Sequence, residues 1–275
     1  MNIKLVADSS ANGPFDNLEV TSVPLKIVTD NQEYVDDPQL DVAGMLKDLR
    51  EYKGRSSTAC PSVSDWVQAF DGADMVLGVA ITSNLSGTYQ SSLIAAEEYA
   101  ATHPDTKIFI LDSLSTGPEM QLILEKYKEL VDESKSFEEI QKEIQAYCSR
   151  THLLFALSSL DNFAKNGRIN PAVAKAVGIL GIRVVGRASD EGTLEPMHKC
   201  RGEKKALQQL LRSMQEAGYQ GGKVRLTHSY NPAAAEAFAA MLQEVYPDCD
   251  VSICCNRGLC CYYAEEGSLL VGFES

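Results

Sequence analysis

Apolar runs of strand length alternate with amphipathic stretches through the first half of the chain. Ile3–Ala7 is a short apolar strand candidate ending at Asp8-Ser9-Ser10; Met75–Ile81, bounded by polar turn residues, suits a strand buried on both faces, and Lys107–Leu111 reads as another buried strand. Val20–Thr29, rich in β-branched residues, reads as a further strand. Val42, Met45, Leu46 and Leu49 mark one face of a helix starting near Asp41. Met120, Ile123, Leu124, Tyr127, Leu130 and Val131 mark another. Ser62 with Asp65, and Ser136 with Glu139, have capping-box spacing, the first ahead of Trp66, Val67 and Phe70, the second ahead of a helix through Cys148. Ala95, Ala96, Ala100 and Ala101 favour helix after Met75–Ile81.

From Leu153 the rhythm changes. Leu153–Leu157 reads as a strand, and Asn170-Pro171 opens a short helix. Ile182–Ala188 and Leu194–His198 flank Ser189-Asp190-Glu191-Gly192, a hairpin signal. Ala206, Leu207, Leu210, Leu211 and Met214 form a helical stripe stopped at Gly218. Asn231-Pro232 starts a helix bearing Phe238, Met241, Leu242 and Val245. Lys223–His228, Val251–Cys255, Leu259–Tyr263 and Ser268–Phe273 read as strands. The fold class is therefore α/β in two domains. Residues 1–150 form an α/β/α domain on a parallel sheet, and residues 151–275 an α+β domain with a mixed sheet. A chain of 275 residues accommodates both.

Three hydroxyl-bearing loops follow strands of the first half: Asp8-Ser9-Ser10, Thr82-Ser83-Asn84-Leu85-Ser86-Gly87-Thr88, and Asp112-Ser113-Leu114-Ser115-Thr116-Gly117. In a parallel sheet all three share the carboxyl edge, where ligands lie. The second precedes a helix whose first N–H groups lack internal partners and whose dipole favours negative charge. Ser86 adds a hydroxyl donor there, and Gly87 has no Cβ to hold a ligand off the backbone. Ser86 or Thr88 acting simply as a helix cap fits the same residues; the shared edge favours an anion site. Arg55-Ser56-Ser57-Thr58-Ala59-Cys60-Pro61-Ser62 is a further cluster with more hydroxyls than capping needs.

Composition narrows the partners. A net charge of −13 argues against nucleic acid and anionic membrane, which demand a basic footprint. No apolar run approaches the ~20 residues of a membrane helix. The beginning turns polar too early for a signal peptide, so the expected compartment is the cytoplasm. Of eight cysteines, Cys249, Cys254, Cys255, Cys260 and Cys261 crowd into the end. They lack the spacing of zinc knuckles, and read as strand residues adjacent pairs would face opposite ways; the expectation is reduced thiols packed as small apolar groups, without a metal.

No Walker loop, dinucleotide fingerprint, H-E-x-x-H or nucleophile elbow is present. Ser86 lies in S-N-L-S-G with no His near it in sequence, and no paired carboxylates suggest acid–base work. Arg168 and Arg201 stand in polar turns, either as solvated charge or as ligand or partner contacts.

Asp8-Ser9-Ser10, Thr58-x-x-Pro61-Ser62, Leu85-Ser86-Gly87-Thr88-Tyr89, Asp112-Ser113 with Gly117, and Lys165-x-Gly167-Arg168-Ile169 occur in the order seen in DegV proteins. Over essentially its whole length the chain resembles this family of bacterial fatty-acid-binding proteins, which includes the lipid-binding subunit of fatty acid kinase. The resemblance implies a carrier rather than an enzyme, with no cofactor and a long-chain fatty acid buried between two domains. It places the carboxylate on Thr58 and Ser86 with the Gly87 amide beside them. It also implies a separate kinase catalytic subunit as partner, and assigns Arg168 and Arg201 to partner or phosphotransfer contacts. The chain departs from the family at Ala59-Cys60, at Asn166, and near its end. There the family's His-x-Gly-Pro-Gly gives way to Tyr262-Tyr263-Ala264-Glu265-Glu266-Gly267, and no His follows His228. An enzyme acting on a small carboxylated or phosphorylated substrate, and a lipid-sensing regulatory module, are the alternative readings.

Overall fold

The computed structural model describes residues 1–13, 15, 17–175 and 181–275. Strands β1 (Ile3–Asp8), β2 (Val20–Val23), β6 (Met75–Ala80) and β7 (Lys107–Asp112) form a parallel sheet in the order β2-β1-β6-β7. All six residues of β6 are buried, as a central strand covered on both faces requires. On one face Val6 and Val76 pack against Trp66 and Phe70 of α2 (Val63–Phe70) and Ala95 and Tyr99 of α3 (Thr88–Thr102). On the other, Leu5 and Leu77 pack against Met120, Leu124 and Tyr127 of α4 (Pro118–Asp132) and Ile140 and Ile144 of α5 (Phe137–Cys148). Neighbouring residues point to opposite layers, which produces the α/β/α sandwich. Both expected capping boxes are formed, Ser62 with Asp65 and Ser136 with Glu139.

The expected Val20–Thr29 strand is two strands in different sheets. Pro24 has no N–H for a ladder, and Leu25 N donates to Ser9 Oγ at 3.0 Å instead. Beyond this break β3 (Lys26–Val28) pairs antiparallel with β4 (Glu33–Val35) and β5 (Ser57–Ala59) in a small separate sheet. Helix α1 (Val42–Glu51), capped by Asp41, packs beside it.

The remaining strands, β8 (Thr151–Leu157), β9 (Ile182–Ala188), β10 (Leu194–Arg201), β11 (Lys223–His228), β12 (Asp250–Cys255) and β13 (Leu269–Glu274), form one sheet in the order β10-β9-β8-β13-β11-β12. It is mixed: β11 and β12 are parallel and the other pairs antiparallel. Leu154 and Ala156 pack toward α8 (Glu203–Glu216) and α9 (Pro232–Val245), while Leu153, Phe155 and Leu157 face the other way. Helix α4 links the two large sheets. At Gly272 of β13 a Cβ would stand 2.5 Å from the Pro118 carbonyl carbon and 2.6 Å from Glu119 N. Strand and helix backbones meet this closely only because that residue has no side chain.

Residues Leu259–Tyr263, expected as a strand, lie in helix α10 (Gly258–Ala264). All of its residues but Tyr263 are buried, so its sequence is apolar all round and carries no helical period to read. Short helices α6 (Asp161–Lys165), which was not expected, and α7 (Pro171–Lys175), opened by Asn170-Pro171 as expected, precede the hairpin. The cysteines partly follow expectation. Cys260 and Cys261 are buried, on a helix rather than a strand, whereas Cys255 is exposed. Among the described residues no helix is long and apolar enough to cross a membrane.

Candidate ligand-binding site

The carboxyl edge of the parallel sheet is built by its loops bonding to one another. Asp8 accepts from Ser10 N at 3.0 Å, from the Ser10 hydroxyl, and through Oδ2 from Ile81 N at 2.6 Å, joining the loops after β1 and β6. Burial pushes its carboxyl up to about 6, against these bonds, which pull it down. Thr82 N donates to Ser115 O at 2.9 Å, joining the loops after β6 and β7. The β9–β10 hairpin then closes over them: the Thr82 hydroxyl donates to Gly192 O at 2.9 Å, and Asn84 Nδ2 donates to Glu191 O at 2.5 Å.

Between this edge and the six-stranded sheet lies a largely apolar cavity. Leu153, Phe155 and Leu157 of β8 and Leu270 of β13 supply one apolar wall, and Leu259, Cys260 and Ala264 of α10 another. Alternate residues of β8 reach it because side chains two apart share a face. Helix α10 is held at its start by Asp36, whose Oδ2 accepts from Leu259 N at 2.9 Å. Burial raises the Asp36 carboxyl above the usual carboxylate range.

Thr58 and Ser86, expected together from positions far apart in the chain, both line this cavity, and so does Arg168. Strand β5 brings Thr58, whose Oγ1 lies 2.8 Å from the Tyr263 hydroxyl. Ser86 Oγ lies 2.8 Å from Thr88 Oγ1 and accepts from Thr88 N at 3.3 Å. It therefore braces the start of α3 while lining the cavity, although the N-cap itself is Gly87 and α3 has no side-chain cap. Arg168 donates through Nε to Leu85 O at 3.1 Å and through Nη1 to Asn166 O, fixing the turn after α6 against the Ser86 loop. Gly87 is the N-cap of α3, exposed, with φ −74°, and lies outside the cavity lining. Arg201 is exposed at the end of β10, also outside it.

Tyr263, Thr82 and Ser115 are lining residues that sequence reasoning did not single out as site residues. The two loop hydroxyls belonged to the clusters already marked at the strand ends. Tyr263 lies in a stretch whose pattern reads as a strand but folds as helix; the signal in the sequence is its tyrosine pair in place of a His-x-Gly-Pro-Gly segment. Burial pushes its phenol up, while the Thr58 hydrogen bond and the Arg168 charge pull it down.

The architecture is that of an α/β protein with a largely apolar chamber whose lining includes the polar side chains of Thr58, Ser86, Arg168 and Tyr263. The sequence model of the family described as "Uncharacterised protein, DegV family" matches residues 2–275, and the chain belongs to the DegV family. A DegV domain-containing protein of Streptococcus pneumoniae is 41% identical over 279 residues, covering 100% of this chain and 99% of that protein. A DegV family protein from Eubacterium eligens, solved loaded with heptadecanoic acid, superposes with a TM-score of 0.97 at 44% identity, covering 99% of each chain. The Streptococcus pneumoniae Fatty Acid Kinase (Fak) B3 protein, solved loaded with linoleic acid, superposes with a TM-score of 0.96 at 41% identity, covering 100% of this chain and 99% of that one.

Proposed function

We propose that this protein binds one long-chain fatty acid in the chamber and presents its carboxylate to a separate kinase. The observation that carries this reading is the chamber itself, apolar along β8, β13 and α10 yet lined by Thr58, Ser86 and Arg168. The fatty acids held by the Eubacterium eligens and Streptococcus pneumoniae relatives support it. Each buried methylene contributes ~0.8 kcal/mol, so a palmitoyl tail supplies roughly 10 kcal/mol gross. Charge-assisted bonds to the carboxylate supply about 1.5–3 kcal/mol each, set against its desolvation. Tail burial thus sets affinity and the hydroxyls set orientation.

In this reading Thr58 and Ser86 donate to the carboxylate, with the Gly87 amide at the adjoining helix start. The acyl chain lies between a first domain, residues 1–150, and a second, residues 151–275. Arg168 and Arg201 contact the kinase or the phosphoryl group, and the protein works in the cytoplasm. Organic extraction of the purified protein followed by mass spectrometry tests the reading. The expected result is a long-chain fatty acid near one equivalent per chain, restored to delipidated protein by added palmitate. Delipidated, folded protein that takes up no long-chain acid overturns it.

A further inference from the structure

Two consecutive tyrosines of α10 reach the segment Ser56–Thr58 and do different work there. The Tyr262 hydroxyl lies 2.8 Å from Ser56 Oγ and also accepts from Asn166 Nδ2 at 2.9 Å. Its ring is buried and outside the chamber lining, so this hydroxyl is engaged in joining α10 to the residue before β5 and to the C-cap of α6. The Tyr263 hydroxyl meets Thr58, within β5, and both side chains line the chamber. Its ring is held by Phe163, with centroids 4.9 Å apart and planes inclined by 28°, so the hydroxyl is fixed at the polar end independently of any ligand.

A carboxylate only accepts hydrogen bonds, and each of these hydroxyls has one proton. In the bond between Thr58 and Tyr263 a single proton lies between the two oxygens. We propose that Tyr263 is itself a head-group ligand. Its hydroxyl exchanges the bond with Thr58 for one to the fatty-acid carboxylate, so that Thr58 and Tyr263 each donate one charge-assisted bond. One neutral bond is replaced by two to an ion, and charge-assisted bonds are roughly twice as strong. Burial keeps the phenol protonated, so the donor is present across the neutral range. The proposal rests on the fatty-acid reading above and adds a third donor to it, on the segment where this chain departs from its family.

Tyr263→Phe removes only the hydroxyl and keeps the ring against Phe163. Palmitate and methyl palmitate are titrated into delipidated wild-type, Y263F and Thr58→Val proteins, with thermal melting recorded for each. The expected result is a palmitate affinity about 10-fold or more weaker in Y263F, with methyl palmitate, which carries no charge, changed by less than about 3-fold. Thr58→Val shows the same selective loss, because it removes the other donor. Two outcomes overturn the proposal: palmitate affinity in Y263F within about 2-fold of wild type, or equal loss of acid and ester, which marks ring packing alone. Wild-type protein that binds no palmitate overturns instead the function on which the proposal rests.

Discussion

Replacing Ser86 by alanine separates the binding role of this side chain from its structural one. Ser86 Oγ accepts from Thr88 N at 3.3 Å and pairs with Thr88 Oγ1 at 2.8 Å. Losing a hydroxyl that serves one helix start costs about 0.5–1 kcal/mol, small against the ~5–15 kcal/mol that keeps a domain folded. The same deletion removes a charge-assisted bond worth about 1.5–3 kcal/mol from the carboxylate, which is roughly 10- to 150-fold in affinity. The apolar contribution of the tail is untouched, so binding stays measurable. Calorimetric titration of delipidated S86A with palmitate, beside its melting curve, reads both numbers. Unchanged palmitate affinity would refute the role given to Ser86. A collapse of the melting transition would show that its bonds at the start of α3 are structural first.

Three further perturbations probe the frame around the chamber. Burial pushes the Glu119 carboxyl from 4.5 up to about 7, with Thr151 Oγ1 donating to it at 2.7 Å. The folded state holds that proton more tightly than the unfolded one, so the group's contribution to stability is full below about pH 4.5 and lost as pH rises through about 7. Glu119→Gln cannot ionise and should gain on wild type by up to about 3 kcal/mol across that window; a pH-independent difference in urea unfolding would contradict this. At Gly192, φ is +75° and a Cβ would lie 2.2 Å from Thr82 Oγ1 and 2.9 Å from Leu114 Cα. Gly192→Ala should destabilise by about 1–3 kcal/mol and speed ligand release by loosening the hairpin over the chamber, measured by melting and by dissociation kinetics. Leu157 is buried and lines the chamber, so Leu157→Phe should weaken palmitate more than laurate, and an unchanged ratio in competition binding would count against tail burial there.

Much of this architecture is legible because its strongest signals are local. Buried strands such as Met75–Ala80 appear as apolar runs, and capping boxes at Ser62 and Ser136 mark helix starts within four residues. What was misread depends on tertiary context. Leu259–Tyr263 looks like a strand because burial on every side erases the polar face that reveals a helix. Val20–Thr29 hides a sheet boundary in a single proline, and β4 and β5, three residues each, are too short for a pattern. At the site, the hydroxyl loops could be placed on one edge from strand order alone. The motif marks Thr58 without revealing β5, and the structure lines the same cavity with Thr58 and Ser86. The pairing of Tyr263 with Thr58 needed the helix to be seen, since only its turn points that ring at β5.

The central claim is an acid head group between residues 58 and 86 with its chain running inward along β8. A crystal structure of the protein loaded with palmitate measures it directly. The account predicts carboxylate oxygens within hydrogen-bond distance of Thr58 Oγ1 and Ser86 Oγ, and methylenes against Leu153, Phe155 and Leu157. A palmitate whose carboxylate lies away from both hydroxyls, or whose chain lies outside the chamber, would contradict it.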